Sequence, residues 1–220
     1  MLVKLCGLRR PVEVELAAAL GAWACGFVFH PSSARYVSPD AAAVLARKAG
    51  SLVRVGVFVE HDVDRIRAIA EAVGLNAVQL HRRWTADEVA CLRREGLAVI
   101  GLLRPEWIDG LAGLDEEAMP EFFLLEPEAG GLGGTGLRRD WTGLAARLAG
   151  VELPRPFLLA GGLDAEQLAS AVEAVAPDGV DVSSGIESRR GVKDLERMRA
   201  FMERVGEIDA TRDRKPRQEG

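Results

Sequence analysis

The 220-residue chain is 48% hydrophobic, enough to bury one sizeable core, and at this length a single domain is expected. Its 28 basic and 33 acidic residues leave a net charge of -5 and are spread along the chain without a dense basic patch, which argues against a nucleic-acid partner. Cys6, Cys25 and Cys91 lie far apart with no C-x-x-C pair, so neither a zinc site nor a disulfide framework is indicated, and a reducing cytoplasm is the simplest setting. The start runs straight into Leu2-Val-Lys-Leu-Cys6 without a charged n-region and long apolar h-region. No apolar stretch is long enough to span a bilayer, so no membrane partner is expected.

In chain order, short β-rich runs alternate with longer stretches of helical periodicity, the pattern of βα units around a parallel sheet. Strands are expected near 2–6, 24–29, 52–59, 76–81, 97–102, 121–126, 156–160 and 179–183. Helices are expected near 11–20, 39–49, 62–73, 85–95, 139–149, 164–176 and 191–205. Entry signals mark several of them: Ser38-Pro39-Asp40, the capping box Thr85-Ala-Asp-Glu88, and Asp164 ahead of an Ala/Glu/Gln/Leu run. Residues 103–120 mix Pro, Gly and acids, so the fifth crossover is expected to be short or irregular. This order fits an α/β fold, a single-domain (β/α)8 TIM barrel over residues 1–205. A doubly wound sheet would more naturally carry G-x-G-x-x-G after its first strand, where this chain has Cys6-Gly7-Leu8-Arg9. Residues 206–220 lose periodicity and gain charge, which predicts a disordered tail.

In such a barrel the reacting groups project from the C-terminal ends of the strands. The polar candidates there are Cys6 after strand one, His30 and Arg35 after strand two, Gln79 and His81 at strand four, Glu126 at strand six, and Asp181, Ser183 and Ser184 at strand eight. Residues two apart share a face, so Lys4 lies with Cys6 and Asp181 with Ser183. If those faces are interior, Lys4 and Asp181 lie on adjacent closing strands and can pair. From context alone Cys6 reads as a small buried hydrophobe, as do Cys25 and Cys91. His61 reads as a surface histidine, and His30 stays open between a site and a surface role. Glu126 ends the run Phe122-Phe-Leu-Leu125, which suits a catalytic acid or an ion pair within the barrel. The ends Phe157-Leu-Leu-Ala-Gly-Gly-Leu163 and Gly179-Val-Asp-Val-Ser-Ser-Gly185 allow close backbone approach to an anion, as in the phosphate sites after strands seven and eight of barrels. Gly130-Gly-Leu-Gly-Gly-Thr-Gly136 reads as a lid, a second anion contact or a plain surface loop.

From about residue 2 to about residue 203 the chain resembles the phosphoribosylanthranilate isomerase family of tryptophan biosynthesis. The marks are Val3-Lys-Leu-Cys-Gly7, Gly26-Phe-Val-Phe29 with Arg35-Tyr-Val-Ser-Pro39, Arg54-Val-Gly-Val-Phe-Val59, Asn76-Ala-Val-Gln-Leu-His81, Gly133-Gly-Thr-Gly136 with Asp140-Trp141, Leu159-Ala-Gly-Gly-Leu163 and Val180-Asp-Val-Ser-Ser-Gly-Ile-Glu187. The resemblance implies an Amadori rearrangement of N-(5'-phosphoribosyl)anthranilate by general acid and base, with no cofactor and no metal, acting on a phosphosugar as a monomer or homodimer. It assigns the base to Cys6, reversing the reading from context, and the acid to Glu126. Arg35 then meets the anthranilate carboxylate, and Gln79, His81 and Asp181 contact the substrate. Gly134, Gly136, Gly161, Gly162, Ser183, Ser184 and Gly185 are implied to hold the phosphate. The chain departs from the usual pattern in having Glu126 for aspartate, Arg9 for threonine, Arg82 for glycine, Leu137 for lysine and Arg190 for proline. The rival readings are a histidine-pathway barrel isomerase, which would prefer an aspartate where Cys6 stands, and a catalytically weak phosphate-binding barrel.

Overall fold

The computed structural model describes residues 1–111, 113–127 and 140–214. Eight parallel strands close into a barrel in sequence order: β1 (Leu2–Cys6), β2 (Ala24–Val28), β3 (Val53–Phe58), β4 (Ala77–Leu80), β5 (Ala98–Leu103), β6 (Phe122–Leu125), β7 (Phe157–Leu159) and β8 (Gly179–Val182). Closure comes from β1 pairing with β8, in a register that sets Lys4 beside Asp181. Each strand lies within a residue or two of its expected span, because each is a run of buried apolar residues.

Strand alternation divides the strands into two faces. Val3, Leu5, Val180 and Val182 turn outward and join the main core with helix residues such as Val14, Ile66, Leu92 and Met198. Ala24, Val55, Ala77, Ile100, Leu102, Leu124 and Leu158 turn inward and fill the barrel, with Cys6, Val28 and Val57 packed together nearer the C-terminal ends.

The helices are α1 (Pro11–Ala19), α2 (Pro39–Ala46), α3 (Val63–Val73), α4 (Ala86–Arg94), α5 (Trp141–Leu148), α6 (Leu168–Val175) and α7 (Leu195–Arg214). Ser38 caps α2 by accepting from the Ala41 N–H, and Thr85 and Glu88 form the expected capping box of α4. The fifth crossover holds only 3-10 turns, Pro105–Leu111 and Glu116–Ala118, because Pro105, Gly110, Gly113 and Pro120 interrupt any helix. Arg93 of α4 ties it down, donating to the carbonyls of Glu116 and Met119.

Three expectations change. The sixth helix starts at Leu168 rather than 164, because Asp164 caps a preceding turn through the Gln167 N–H. Residues 191–193 are not helical: Glu187–Arg189 (β9) and Val192–Lys193 (β10) form a small antiparallel hairpin, and α7 begins only at Leu195. Finally, of the segment 206–220 expected to be a disordered tail, residues 215–220 lie outside the described residues and residues 206–214 continue α7. Its Asp209 accepts from the Met1 ammonium at 2.9 Å, Arg204 pairs with Glu207, and Ile208 packs on the core. No described helix is long and apolar enough to cross a membrane.

Candidate active site

Cys6 ends β1 on the inward face, 6% exposed, and pairs in register with Gly26. The absence of a side chain at Gly26 makes room for the thiol: a Cβ there would lie 2.9 Å from Cys6 Sγ and 3.2 Å from Cys6 Cα. Beneath it, Lys4 Nζ donates to Asp181 Oδ1 at 2.7 Å with Lys4 fully buried, as alternation and closure together predicted. Burial alone would lower the Lys4 pKa, but Asp181 and Cys6 outweigh it and raise it above its ordinary value. Burial also pushes the Cys6 thiol up, against the opposing pull of Lys4.

Glu126 follows β6 on the face of Leu124, its backbone N–H bonded to the Leu103 carbonyl. Its Oε2 lies 3.4 Å from His81 Nε2, and Gln79 Nε2 lies 3.2 Å from His81 Nδ1. The structure thus brings Gln79, His81 and Glu126 into one line across the ends of β4 and β6. Gln79 is 2% exposed, and its Oε1 is buried without a hydrogen-bond partner among the described residues. His30 is similar in carrying a buried Nδ1 without a partner among the described residues.

Arg35 follows β2 and passes over Gly7, where a Cβ would lie 2.8 Å from Arg35 Cδ. Its Nε and Nη2 donate to the two carboxylate oxygens of Glu187 at 2.7 and 2.9 Å. Burial works against the Arg35 charge, but Glu187 outweighs it and raises the pKa. Lys193 Nζ reaches the same carboxylate at 2.8 Å and also the Ser183 carbonyl at 2.8 Å. Burial raises Glu187, yet its bonds from Arg35 and Lys193 bring it down to about 2. Neither Glu187 nor Lys193 was singled out from the sequence as a site residue. The available signal was a pair of charges flanking Gly191 shortly after β8, of which only Lys193 lies in the stretch expected to be helical.

At the far side of the mouth, Gly161 and Gly162 follow β7 at φ 97° and 83°, a region only glycine enters without strain. Ser184–Ile186 forms a 3-10 turn after β8, and a Cβ on Gly185 would collide with the Leu163 carbonyl. The two glycine-bearing ends therefore meet. The Ser183 hydroxyl is committed otherwise, donating to the Cys6 carbonyl and accepting from Lys193. Gly134 and Gly136 lie outside the described residues, as does Leu137. Arg82 spends its guanidinium on Glu88 at the start of α4. A cavity of about 170 Å3 between the loops after β4 and β5, lined by Arg83, Trp84 and Trp107, contains none of these residues.

Residues 3–204 match the family model described as N-(5'phosphoribosyl)anthranilate (PRA) isomerase. Proteins named N-(5'-phosphoribosyl)anthranilate isomerase from Desulfovibrio desulfuricans and Ralstonia nicotianae are 42% and 41% identical, over 92% and 94% of this chain and 94% of each relative. The phosphoribosyl anthranilate isomerase of Thermus thermophilus superposes with a TM-score of 0.77 at 32% identity, covering 94% of this chain and all of that one. A phosphoribosyl anthranilate isomerase in complex with reduced 1-(o-carboxyphenylamino)-1-deoxyribulose 5-phosphate superposes with a TM-score of 0.73 at 30% identity, with the same coverage. With the closed barrel and the converging ends of β1, β6, β7 and β8, these matches establish that the chain belongs to the N-(5'-phosphoribosyl)anthranilate isomerase family.

Proposed function

We infer that this chain converts N-(5'-phosphoribosyl)anthranilate to 1-(2-carboxyphenylamino)-1-deoxyribulose 5-phosphate in tryptophan biosynthesis, with Cys6 as base and Glu126 as acid. The observation that carries the assignment is that Cys6 and Glu126 sit at strand ends on the inward face of one barrel mouth, above the buried Lys4–Asp181 pair.

Glu126 protonates the ring oxygen, the C1–O bond breaks, and the aryl nitrogen lone pair forms a cationic C=N bond to C1. His81, 3.4 Å from Glu126, is the neighbouring group through which the acid can be reprotonated. Cys6, as thiolate, takes the proton from C2. The released electron pair forms C1=C2 and neutralises the nitrogen, and protonation at C1 with loss of the enol proton completes the ketone. A thiol must ionise before it can act as the base, its proton passing to solvent at the mouth. The cation created by ring opening favours that ionisation, as Lys4 already does.

Asp181 offers its Oδ2 to a sugar hydroxyl while Oδ1 is held by Lys4. Arg35 offers Nη1 to the anthranilate carboxylate, the other two donor nitrogens being occupied. Gln79, beside His81, completes the polar wall next to Glu126. The amides of Gly161, Gly162, Ser184 and Gly185 bind the phosphate, with Gly134 and Gly136 as further contacts, while Ser183 braces the ends of β1 and β8. A monomer or a homodimer is the assembly the family relationship suggests. A reducing cytoplasm suits a thiol base and three unpaired cysteines.

Genetic complementation tests the reading. Wild type restores growth without tryptophan to a host lacking this isomerase, and Cys6→Ser and Glu126→Gln do not. Folded wild-type protein that fails to restore growth contradicts it.

A further inference from the structure

We propose that Glu187, presented by the β9–β10 hairpin, is the positioning residue that turns Arg35 into a carboxylate-selective anchor, with Lys193 supplying the net charge that makes the anchor attractive to an anion. The proposal rests on Arg35 being the partner of the substrate carboxylate and adds how that selectivity is built.

A guanidinium is a planar fork of five N–H donors on a flexible stem. Here two edges of the fork are held by both oxygens of one carboxylate, at 2.7 and 2.9 Å. The plane of the group is then set, and Nη1 points along a direction that Glu187 determines. Glu187 is itself immobilised, since its side chain is 4% exposed and also accepts from Lys193 Nζ at 2.8 Å and from the Gly191 N–H at 3.0 Å. Lys193 is fixed in turn by the Ser183 carbonyl and hydroxyl.

The charges decide what the cluster attracts. Arg35 and Glu187 alone would be a neutral closed pair with little pull on an incoming anion. Lys193, with its side chain 1% exposed, brings the buried triad to a net positive charge without competing for substrate, because its donors face Glu187 and Ser183.

The hairpin and the Arg35 loop are also tied together mechanically. Arg9 Nη1 donates to the Ala34 carbonyl at 2.9 Å and to the Gly191 carbonyl at 3.3 Å, bridging the residue before Arg35 and the hairpin turn. Gly191 sits at φ 80°, and a Cβ there would collide with the Ala34 carbonyl. The hairpin thus packs on the loop it orients. The Ser183 hydroxyl continues the network to the Cys6 carbonyl at 3.1 Å, so the carboxylate anchor and the base share one rigid frame.

The test compares equilibrium binding of two stable probes, reduced 1-(o-carboxyphenylamino)-1-deoxyribulose 5-phosphate and the same compound without its carboxylate. Wild type prefers the carboxylate-bearing probe. Arg35→Met abolishes the preference; if it does not, the assignment of Arg35 itself is wrong. Given that loss, Glu187→Asp, which keeps the charge but withdraws the carboxylate from the guanidinium, is expected to reduce the preference by about tenfold or more, while binding of the carboxylate-free probe changes by less than about threefold. Lys193→Met shifts the preference in the same direction and keeps the test open if Glu187→Asp does not fold. Equal loss of both probes in both variants marks a merely structural role and overturns the proposal. So does an unchanged preference in a folded Glu187→Asp protein.

Discussion

Gly26→Ala is a one-carbon perturbation whose consequence can be worked from the coordinates. Gly26 is not at a positive φ, so alanine fits its backbone, and replacing glycine would by itself stabilise the protein by about 0.4–1 kcal/mol through the unfolded chain. Against this, the new Cβ lies 2.9 Å from Cys6 Sγ, 3.2 Å from Cys6 Cα and 3.3 Å from Lys4 Cε. Ordinary contact between such atoms is about 3.5–4.0 Å, so Sγ must retreat by roughly 0.6–1.1 Å. Its own Cα is backbone held in the β1–β2 register and cannot swing aside. Overpacking of this kind costs about 1–3 kcal/mol, which leaves a net loss of up to about 2.6 kcal/mol and a Tm lower by up to roughly 10 °C. Displacement of a catalytic group by about 1 Å costs on the order of 100-fold in rate. Thermal unfolding and the loss of substrate fluorescence measure the two effects. Gly206→Ala on exposed α7, where a Cβ meets nothing within 4 Å, is the control and should stabilise by about 0.5–1 kcal/mol. A Gly26→Ala protein with wild-type kcat and a Tm at or above wild type would refute the reasoning.

Asp181→Asn leaves Lys4 as a buried cation without its counter-charge, and a broken buried pair typically costs about 3–5 kcal/mol. Denaturant unfolding should show that loss, and the double variant Lys4→Met with Asp181→Leu should recover most of it; an Asn variant as stable as wild type would exclude a buried ion pair. Glu187 is held at about 2 against an ordinary 4.5. A depressed carboxyl contributes stability that is complete above its unfolded pKa and lost as pH falls through the folded one. The Tm of wild type should therefore fall more steeply between pH 4.5 and 2 than that of Glu187→Gln, and parallel acid limbs would show that Glu187 is not the group responsible.

The barrel was legible because its strands are buried apolar runs whose period and spacing need no tertiary knowledge. The Lys4–Asp181 pair was legible for a related reason: alternation names the face, and closure of β1 on β8 makes the two residues neighbours although they are 177 positions apart. Gln79 and His81, two apart on one strand, were likewise expected to share a face and are in contact. Arg35 and Glu187 follow no such rule. They are 152 positions apart in segments outside the barrel strands, and only the fold of the β9–β10 hairpin brings them together. Only its second strand fell inside the expected helix, which was placed from residue 191, because the charges there find their buried partners only in the folded chain. The extension of α7 was missed for the same reason, since the Asp209 partner is the chain's own N-terminus. Arg9 and Arg82, departures from the usual family pattern, proved to be loop and helix braces.

The central claim is that Cys6 and Glu126 carry out the rearrangement across the mouth of this barrel. The most direct measurement supplies N-(5'-phosphoribosyl)anthranilate and follows the loss of its fluorescence with wild type, Cys6→Ser, Glu126→Gln and Glu126→Asp. Turnover by wild type is expected, with a fall of at least about 100-fold for Cys6→Ser and Glu126→Gln and substantial activity retained by Glu126→Asp. Wild-type rates in both of the first two variants, properly folded, would contradict it.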